Sequence, residues 1–346
     1  MPLQSDDIFV NSKGAVMLGP DVVCDGFCYD AKFRVQTHVH SDHMVDFDRS
    51  KGRQSILLSF GTKELLIAKH NADLPYRDNI LPKNYGEAHI CQNLGKTTKI
   101  KLVSSNHMLG ASQVEVELRD GRKVGYSGDF QWPSDEIIKV DILVVDATYG
   151  SPRSIRNFTQ EEANGKLIEL TTMLLGSGPV EITAFKGVLE RVVQLVSSEM
   201  NTPLIANPAV CKQVKVYRDF GFPVRKIFST TSDEGKRILR EEKYIRFYQH
   251  PEGRADRDGR IPQITCSAFF TSSDDPVVEY TDTSYCVALS DHADFKGTLD
   301  YIQATGAKVV LTNNSKSGHG ETLAHEIRSR LGLEAKASYV PIKRIW

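Results

Sequence analysis

Residues 37 to 44 read THVHSDHM, and inside them His38, His40, Asp42 and His43 stand at the spacing H-x-H-x-D-H. The whole chain has ten histidines in 346 positions, so three in this stretch do not look like an accident of a solvated loop. The run leaves the strand-like segment FRVQTHV and enters a loop. Alternation at the strand end turns His38 and His40 to one side. The turn that follows can present Asp42 and His43 to a second position, so one short loop can serve two adjacent cations. Imidazole and carboxylate donors suit zinc, with manganese as the other candidate. The fold must therefore bring further ligands from distant strand ends to this loop.

Two such ligands stand downstream. His107 follows the strand KIKLVSS in SSNHMLGAS, and Asp129 follows the strand KVGYSG in YSGDF. Either alone would be an ordinary cap or turn residue. Beside the first motif, Asp129 is the carboxylate that can bridge two hydrolytic cations. Asp146 ends the apolar strand of VVDATYG, and His292 in ALSDHADF follows another apolar run between Asp291 and Asp294. His70, His89, His250 and His325 have no partner pattern and read as surface or packing residues.

Around these motifs the chain alternates strands and helices. The first 150 residues read as strands joined by turns, with one helix at TKELLIAKH and a hairpin SQVEVELRDGRKVGYSG turning at Asp120–Gly121. The middle changes character: helical EEANGKLIELTTMLLGSG, strand VEITAF, helix GVLERVVQLVSSEM, strand PLIAN and a charged helix DEGKRILREEKY. The polar stretch HPEGRADRDGRIP (250–262) reads as an exposed loop. Strands return from about 262, and a helix FKGTLDYIQATG, a strand KVVLT and a helix ETLAHEIRSRLG close the chain. This order suggests one α/β domain carrying an insertion, with a linear pair of domains as the alternative.

Composition narrows the setting. A net charge of −1 and a pI near 6.8 give no global sign of a nucleic-acid binder, although a local basic patch or bound cations can hold phosphate. No stretch reaches the roughly 18 apolar residues of a membrane span. MPLQSDDIFV lacks the basic start and apolar core of a signal peptide. The six cysteines, Cys24, Cys28, Cys91, Cys211, Cys266 and Cys286, lack the paired spacing of a zinc site and read as reduced thiols. The expectation is a cytoplasmic protein without membrane association.

In order, THVHSDH, NHMLGAS, YSGDF, DATYG and SDHADF resemble the motifs of the metallo-β-lactamase superfamily, and within it the β-CASP nucleases. H-x-H-x-D-H alone marks the superfamily; NHMLGASQVEVE, DATYG and SDHADF narrow it to nucleases. ATYGSP, AFKGVLERV, SDHADFKGTLDYIQATGAKVV and YGE at 85 to 87 make it similar to the compact DNA-ligase-associated exonuclease group. The resemblance implies an αββα metallo-β-lactamase sandwich formed by 1–151 and 284–346, with a β-CASP-like α/β cap inserted at 152–283. It further implies that His38, His40 and His107 hold one metal. Asp42 and His43 would hold the second, with Asp129 bridging, while Asp146 and His292 occupy the acidic and histidine positions of the β-CASP motifs. One position departs from the pattern: a late-strand histidine that completes the second metal's shell in RNA-acting members falls on Asn313 by distance, or on His319 by the wording His-Gly-Glu. Asn313 there would leave the second site labile and would favour DNA over RNA.

The expected activity is phosphodiester hydrolysis of nucleic acid by a metal-bound hydroxide, with two divalent ions, zinc or manganese. A DNA exonuclease in repair or end processing leads. An RNA-processing nuclease of the ribonuclease J or polyadenylation-factor type is second, and a small-molecule metallo-hydrolase third. Asp42 would also orient the hydroxide, and His292, held by Asp146, would protonate the leaving oxygen. Association with a DNA ligase or helicase follows from the resemblance alone. Lys186, Arg191, Lys212, Lys215, Arg218, Lys236, Arg237 and Arg240 are candidates for strand-backbone contacts, against acidic neighbours that dilute them.

Overall fold

A computed structural model describes residues 8–70, 73–93, 96–250, 259–269, 274–315 and 319–338. The chain forms two compact units, one of Met1–Ile155 with His292–Trp346 and one of Arg156–Asp291. The greater part of the expected polar loop, 251–258, lies outside the described residues.

The first unit opens with β1 (Ile8–Val10), β2 (Val16–Leu18), β3 (Val22–Cys24), β4 (Phe33–Val35), β5 (Ser55–Ser59) and, after α1 (Phe60–His70), β6 (Ile80–Lys83). These six form one sheet in sequence order, antiparallel from β1 to β3 and parallel from β3 to β6. A second sheet continues with β7 (Ala88–Asn93), β8 (Lys96–Ser104), β9 (Ser112–Glu117), β10 (Lys123–Tyr126) and β11 (Ile142–Val145). β9 and β10 are the hairpin expected around Asp120–Gly121; Gly121 takes φ +86°, which a side chain would resist. Val16, Leu18, Val22, Val35 and Leu57 of the first sheet share one core with Ile100, Leu102, Val114, Val116 and Val144 of the second.

The second unit is built as α2 (Gln160–Leu175), β12 (Val180–Ala184), α3 (Val188–Glu199), β13 (Leu204–Ala206), α4 (Pro208–Asp219), β14 (Ile227–Ser229), α5 (Asp233–Arg240), β15 (Ile245–Gln249), β16 (Gln263–Cys266), β17 (Val277–Thr281) and β18 (Ser284–Val287). Its sheet runs β14-β13-β15-β12-β16-β18-β17, parallel throughout except for β17 against β18. β12 is buried along its whole length, as a strand covered on both faces must be. α4 lies between the expected strand PLIAN and the expected charged helix, in a stretch for which the sequence analysis gives no element. Asn207 starts the helix: its side chain accepts from Val210 N, Pro208 occupies the first turn, and Val210, Val214 and Tyr217 fall on one buried helical stripe.

The chain then returns to the first unit as α6 (Phe295–Thr305), β19 (Val309–Thr312), α7 (Gly320–Leu331) and β20 (Glu334–Ala337). The second sheet becomes β20-β19-β11-β10-β9-β8-β7. Alternation along β11 gives it two buried faces: Val144 joins the core between the sheets, while Leu143 and Val145 pack with Phe295, Leu299, Ile302, Leu323 and Ile327 of the two helices. Among the described residues no helix is long and apolar enough to cross a membrane.

Candidate metal centre

The loops after β4, β8, β10 and β11 all emerge at one end of the first unit's sheets, and each carries a side chain singled out above. Beyond β4 the backbone stays pinned: Gln36 N donates to Leu57 O, and Ser112 N donates to Thr37 O at 3.1 Å. The His107 loop is tied to the start of α1, where Ser59 Oγ and Thr62 Oγ1 both donate to the Gly110 carbonyl, at 2.7 and 2.8 Å. Gly110 has φ +81°, and a Cβ there would lie 2.2 Å from Thr62 N, so only glycine fits.

His38, His40, His107 and Asp129 bring one ligand atom each to within 4.8 Å of one another. His40 Nδ1 lies 3.1 Å from His38 Nε2 and 3.2 Å from His107 Nε2. Asp129 Oδ2 is 3.0 Å from His43 Nε2, 3.5 Å from His38 Nε2 and 3.8 Å from His107 Nε2. One carboxylate thus faces the His38/His107 side and His43 alike. Asp42 is different: its side chain is 55% exposed, with Oδ2 3.6 Å from His43 Nε2.

Behind the cluster lies a buried polar network that sequence reasoning missed. Asp25, at the end of β3, accepts from Thr37 N (2.8 Å) and Thr37 Oγ1 (2.6 Å), and its Oδ2 is 2.6 Å from His43 Nδ1. Gln36 Nε2 donates to the carbonyls of His38 (2.7 Å) and His43 (3.1 Å). Arg34 is fully buried; its Nη2 donates to Gln36 Oε1 (2.8 Å) and the His43 carbonyl (3.2 Å), and its Nη1 to the Val45 carbonyl (3.0 Å). Burial lowers the guanidinium to about 10, offset chiefly by the charge of Asp25. The ligand loop is therefore held by its own backbone carbonyls, from beneath. The sequence carries one sign of this: Arg34 is a charged residue between the apolar Phe33 and Val35 of β4.

Asp146, after β11, shares its carboxylate between two tasks. Oδ1 accepts from Thr148 N and Oγ1, and Oδ2 lies 3.2 Å from His292 Nδ1. His292 directs Nε2 to within 3.9 Å of Asp129 Oδ2, and its ring lies 4.6 Å from that of His107 and 5.9 Å from that of Tyr149, centroid to centroid. Asp294 caps α6, accepting from Gly297 N. Of the two residues considered for the late ligand position, Asn313 is 2% exposed and its Oδ1 accepts from Ser315 N and Oγ, while His319 is the residue directly before α7. His319 does not join the histidine group.

Burial, with the neighbouring His43 next, pushes His38 down to about 3; burial likewise drives His40 well below the usual imidazole range. Both rings are therefore neutral near pH 7 and offer lone pairs, the state a cation requires. Three imidazole nitrogens and a carboxylate oxygen, converging and buried except for half-buried His40, form a donor set that fits a divalent cation of the zinc or manganese kind. The cations of the second unit behave otherwise. Arg191 is spent on Gln160, Asn164 and the Ser290 carbonyl, and Lys236 and Arg237 pair along α5.

No family model matches the chain. An uncharacterised protein "in lig 3'region" of Acidianus ambivalens is 31% identical over 126 residues, 36% of this chain and 89% of that one. A "Probable DNA ligase" of Opitutus terrae is 24% identical over 332 residues, covering 90% of this chain but only 30% of the ligase. An "RNase J-like protein" of Methanocaldococcus jannaschii is 29% identical over 109 residues, 29% of this chain and 25% of that protein. In fold, the chain is similar to a protein of unknown function from Enterococcus faecalis, with a TM-score of 0.59 at 14% identity, over 92% of this chain and 81% of that one.

Proposed function

The chain belongs to the metallo-β-lactamase-fold β-CASP nucleases, near their DNA-ligase-associated members, and from that premise we propose that it is a metal-dependent DNA exonuclease of repair or end processing. The first unit is then the αββα sandwich and the second the inserted cap. The observation that carries the reading is the convergence of His38, His40, His107 and Asp129, with His43 on the far side of the same carboxylate. His38, His40 and His107 would hold one cation, Asp42 and His43 a second, and Asp129 both. Zinc is the first candidate and manganese the other.

Cations held there would supply a nucleophile at neutral pH and offset negative charge growing on the phosphoryl oxygens. The remaining work falls to side chains. Asp42, exposed beside His43, orients the attacking group. Asp146 accepts from His292 Nδ1–H, which fixes the tautomer, raises the basicity of the ring and leaves Nε2 toward the cluster. Protonated, that Nε2 can deliver its proton to the leaving oxygen. Asn313, with its amide oxygen already bonded to Ser315, supports a weaker second site.

DNA is favoured because the long alignment runs into a protein named as a DNA ligase; association with a ligase belongs to the same proposal. The RNase J-like relative keeps RNA as the second reading. Single-stranded DNA and RNA of matched sequence, labelled at either end and incubated with zinc or manganese, separate the two. Stepwise loss of DNA from one end, absent with chelator, is expected. Cleavage confined to RNA would move the assignment to RNA processing.

A further inference from the structure

In the second unit the connections change direction at β12. α3 carries the chain from β12 past β15 to β13, whereas β15 is followed by β16 on the opposite side of β12. Open parallel sheets bind ligands outside the C-terminal ends of their strands at such a change of direction. Phe185 is the first residue beyond β12, and His250 is the first beyond the neighbouring β15, where its N donates to the Ala184 carbonyl at 2.8 Å. Phe185 is 39% exposed although it follows a fully buried strand. Its ring lies 4.3 Å from the His250 imidazole, centroid to centroid, with the planes 37° apart. His250 Nδ1 makes no hydrogen bond among the described residues. Phe269, 60% exposed, stands three residues beyond β16, the other neighbour of β12.

We propose that Phe185, backed by His250, is a stacking platform for a base of single-stranded nucleic acid. The proposal rests on the nuclease reading and adds to it the way in which a strand is gripped. A flat, solvent-facing ring supported by a second ring accepts the π-face of any base, which gives grip without sequence preference. It is too small to be a protein-docking face. Among the described residues, the unit's remaining exposed large apolar side chains, Met173, Phe220 and Tyr280, lie elsewhere, on α2, at the end of α4 and on β17.

The test is binding of an oligothymidylate carrying one 2-aminopurine, with chelator present so that nothing is cleaved. Wild type, Phe185→Leu and Phe185→Tyr are compared after their thermal unfolding curves have been matched. Phe185→Leu is expected to weaken binding about tenfold and to abolish the quenching that marks a stacked aminopurine. Phe185→Tyr is expected to restore both. Equal affinity and quenching in Phe185→Leu would overturn the platform and leave the nuclease reading standing. Failure of the wild type to bind any strand would overturn both. A wild type that binds and quenches, yet cleaves nothing once metal is restored, would sink the nuclease reading alone.

Discussion

Each of the two units buries polar side chains, but to different ends. In the second, buried Glu181, Gln263 and Glu190 bond to groups of their own sheet or helix. Glu181 accepts from Tyr248 Oη at 2.8 Å, Gln263 donates to Thr183 at 2.9 Å, and Glu190 accepts from Gly187 N at the head of α3. In the first, imidazoles from two loops and a carboxylate from a third turn their ligand atoms toward one another, an arrangement without purpose in an apolar core. Polar burial that ends in local bonds is architecture. Polar burial that converges marks a site awaiting a ligand.

That contrast can be broken by mutation, and the largest effect is expected at its centre. Asp129→Ala removes the carboxylate shared by both halves; DNA cleavage should fall roughly a thousandfold, and metal per chain should drop with it. An active variant with full metal content would mean that the convergence is only structural. His292→Ala should lower turnover about a hundredfold or more while metal content stays at the wild-type level. Loss of metal would instead make His292 a ligand.

Gln36→Leu sharpens the comparison from beneath the site. It removes the donor to the His38 carbonyl, one of the two donors to the His43 carbonyl, and the acceptor of Arg34, so metal affinity should weaken roughly tenfold, read by competition with a fluorescent chelator. Unchanged affinity would assign the network to fold stability alone.

The smallest effect belongs to the second unit. Burial raises the Glu190 carboxyl above the usual range, so the folded state holds this proton more tightly than the unfolded chain. The cost of ionising it is absent in acid and grows as pH rises through the ordinary glutamate range. Glu190→Gln keeps an acceptor for Gly187 N and removes that cost. It should raise the unfolding temperature by about 2 °C at pH 7 and by nothing near pH 3. A gain of equal size at both pH values would contradict the burial argument.

The converging residues were legible because the chemistry demands particular side chains and strand-end periodicity says where loops begin. His38, His40, His107 and Asp129 were each named from such an end. Asp25 was not, since Asp-Gly after a short strand reads as a turn, and only its 2.6 Å approach to His43 Nδ1 reveals the role. Arg34 and Gln36 were hidden because polar residues in a strand are ordinarily assigned to the solvent face. His250 was set aside for want of a sequence partner; its neighbour Phe185 lies 65 positions earlier and meets it only through the pairing of β12 with β15. The choice between Asn313 and His319 was likewise a matter of loop path, which spacing does not encode.

The central claim is that the histidine cluster is the seat of a metal-dependent nuclease. The most direct measurement titrates zinc, and separately manganese, into chelator-stripped protein while following bound metal and cleavage of end-labelled single-stranded DNA in the same samples. The account predicts no cleavage in the stripped protein, a rise in cleavage that tracks binding to the cluster, and no recovery in Asp129→Ala. Cleavage that persists in the stripped protein, or protein that fills with metal and cuts neither DNA nor RNA, would contradict it.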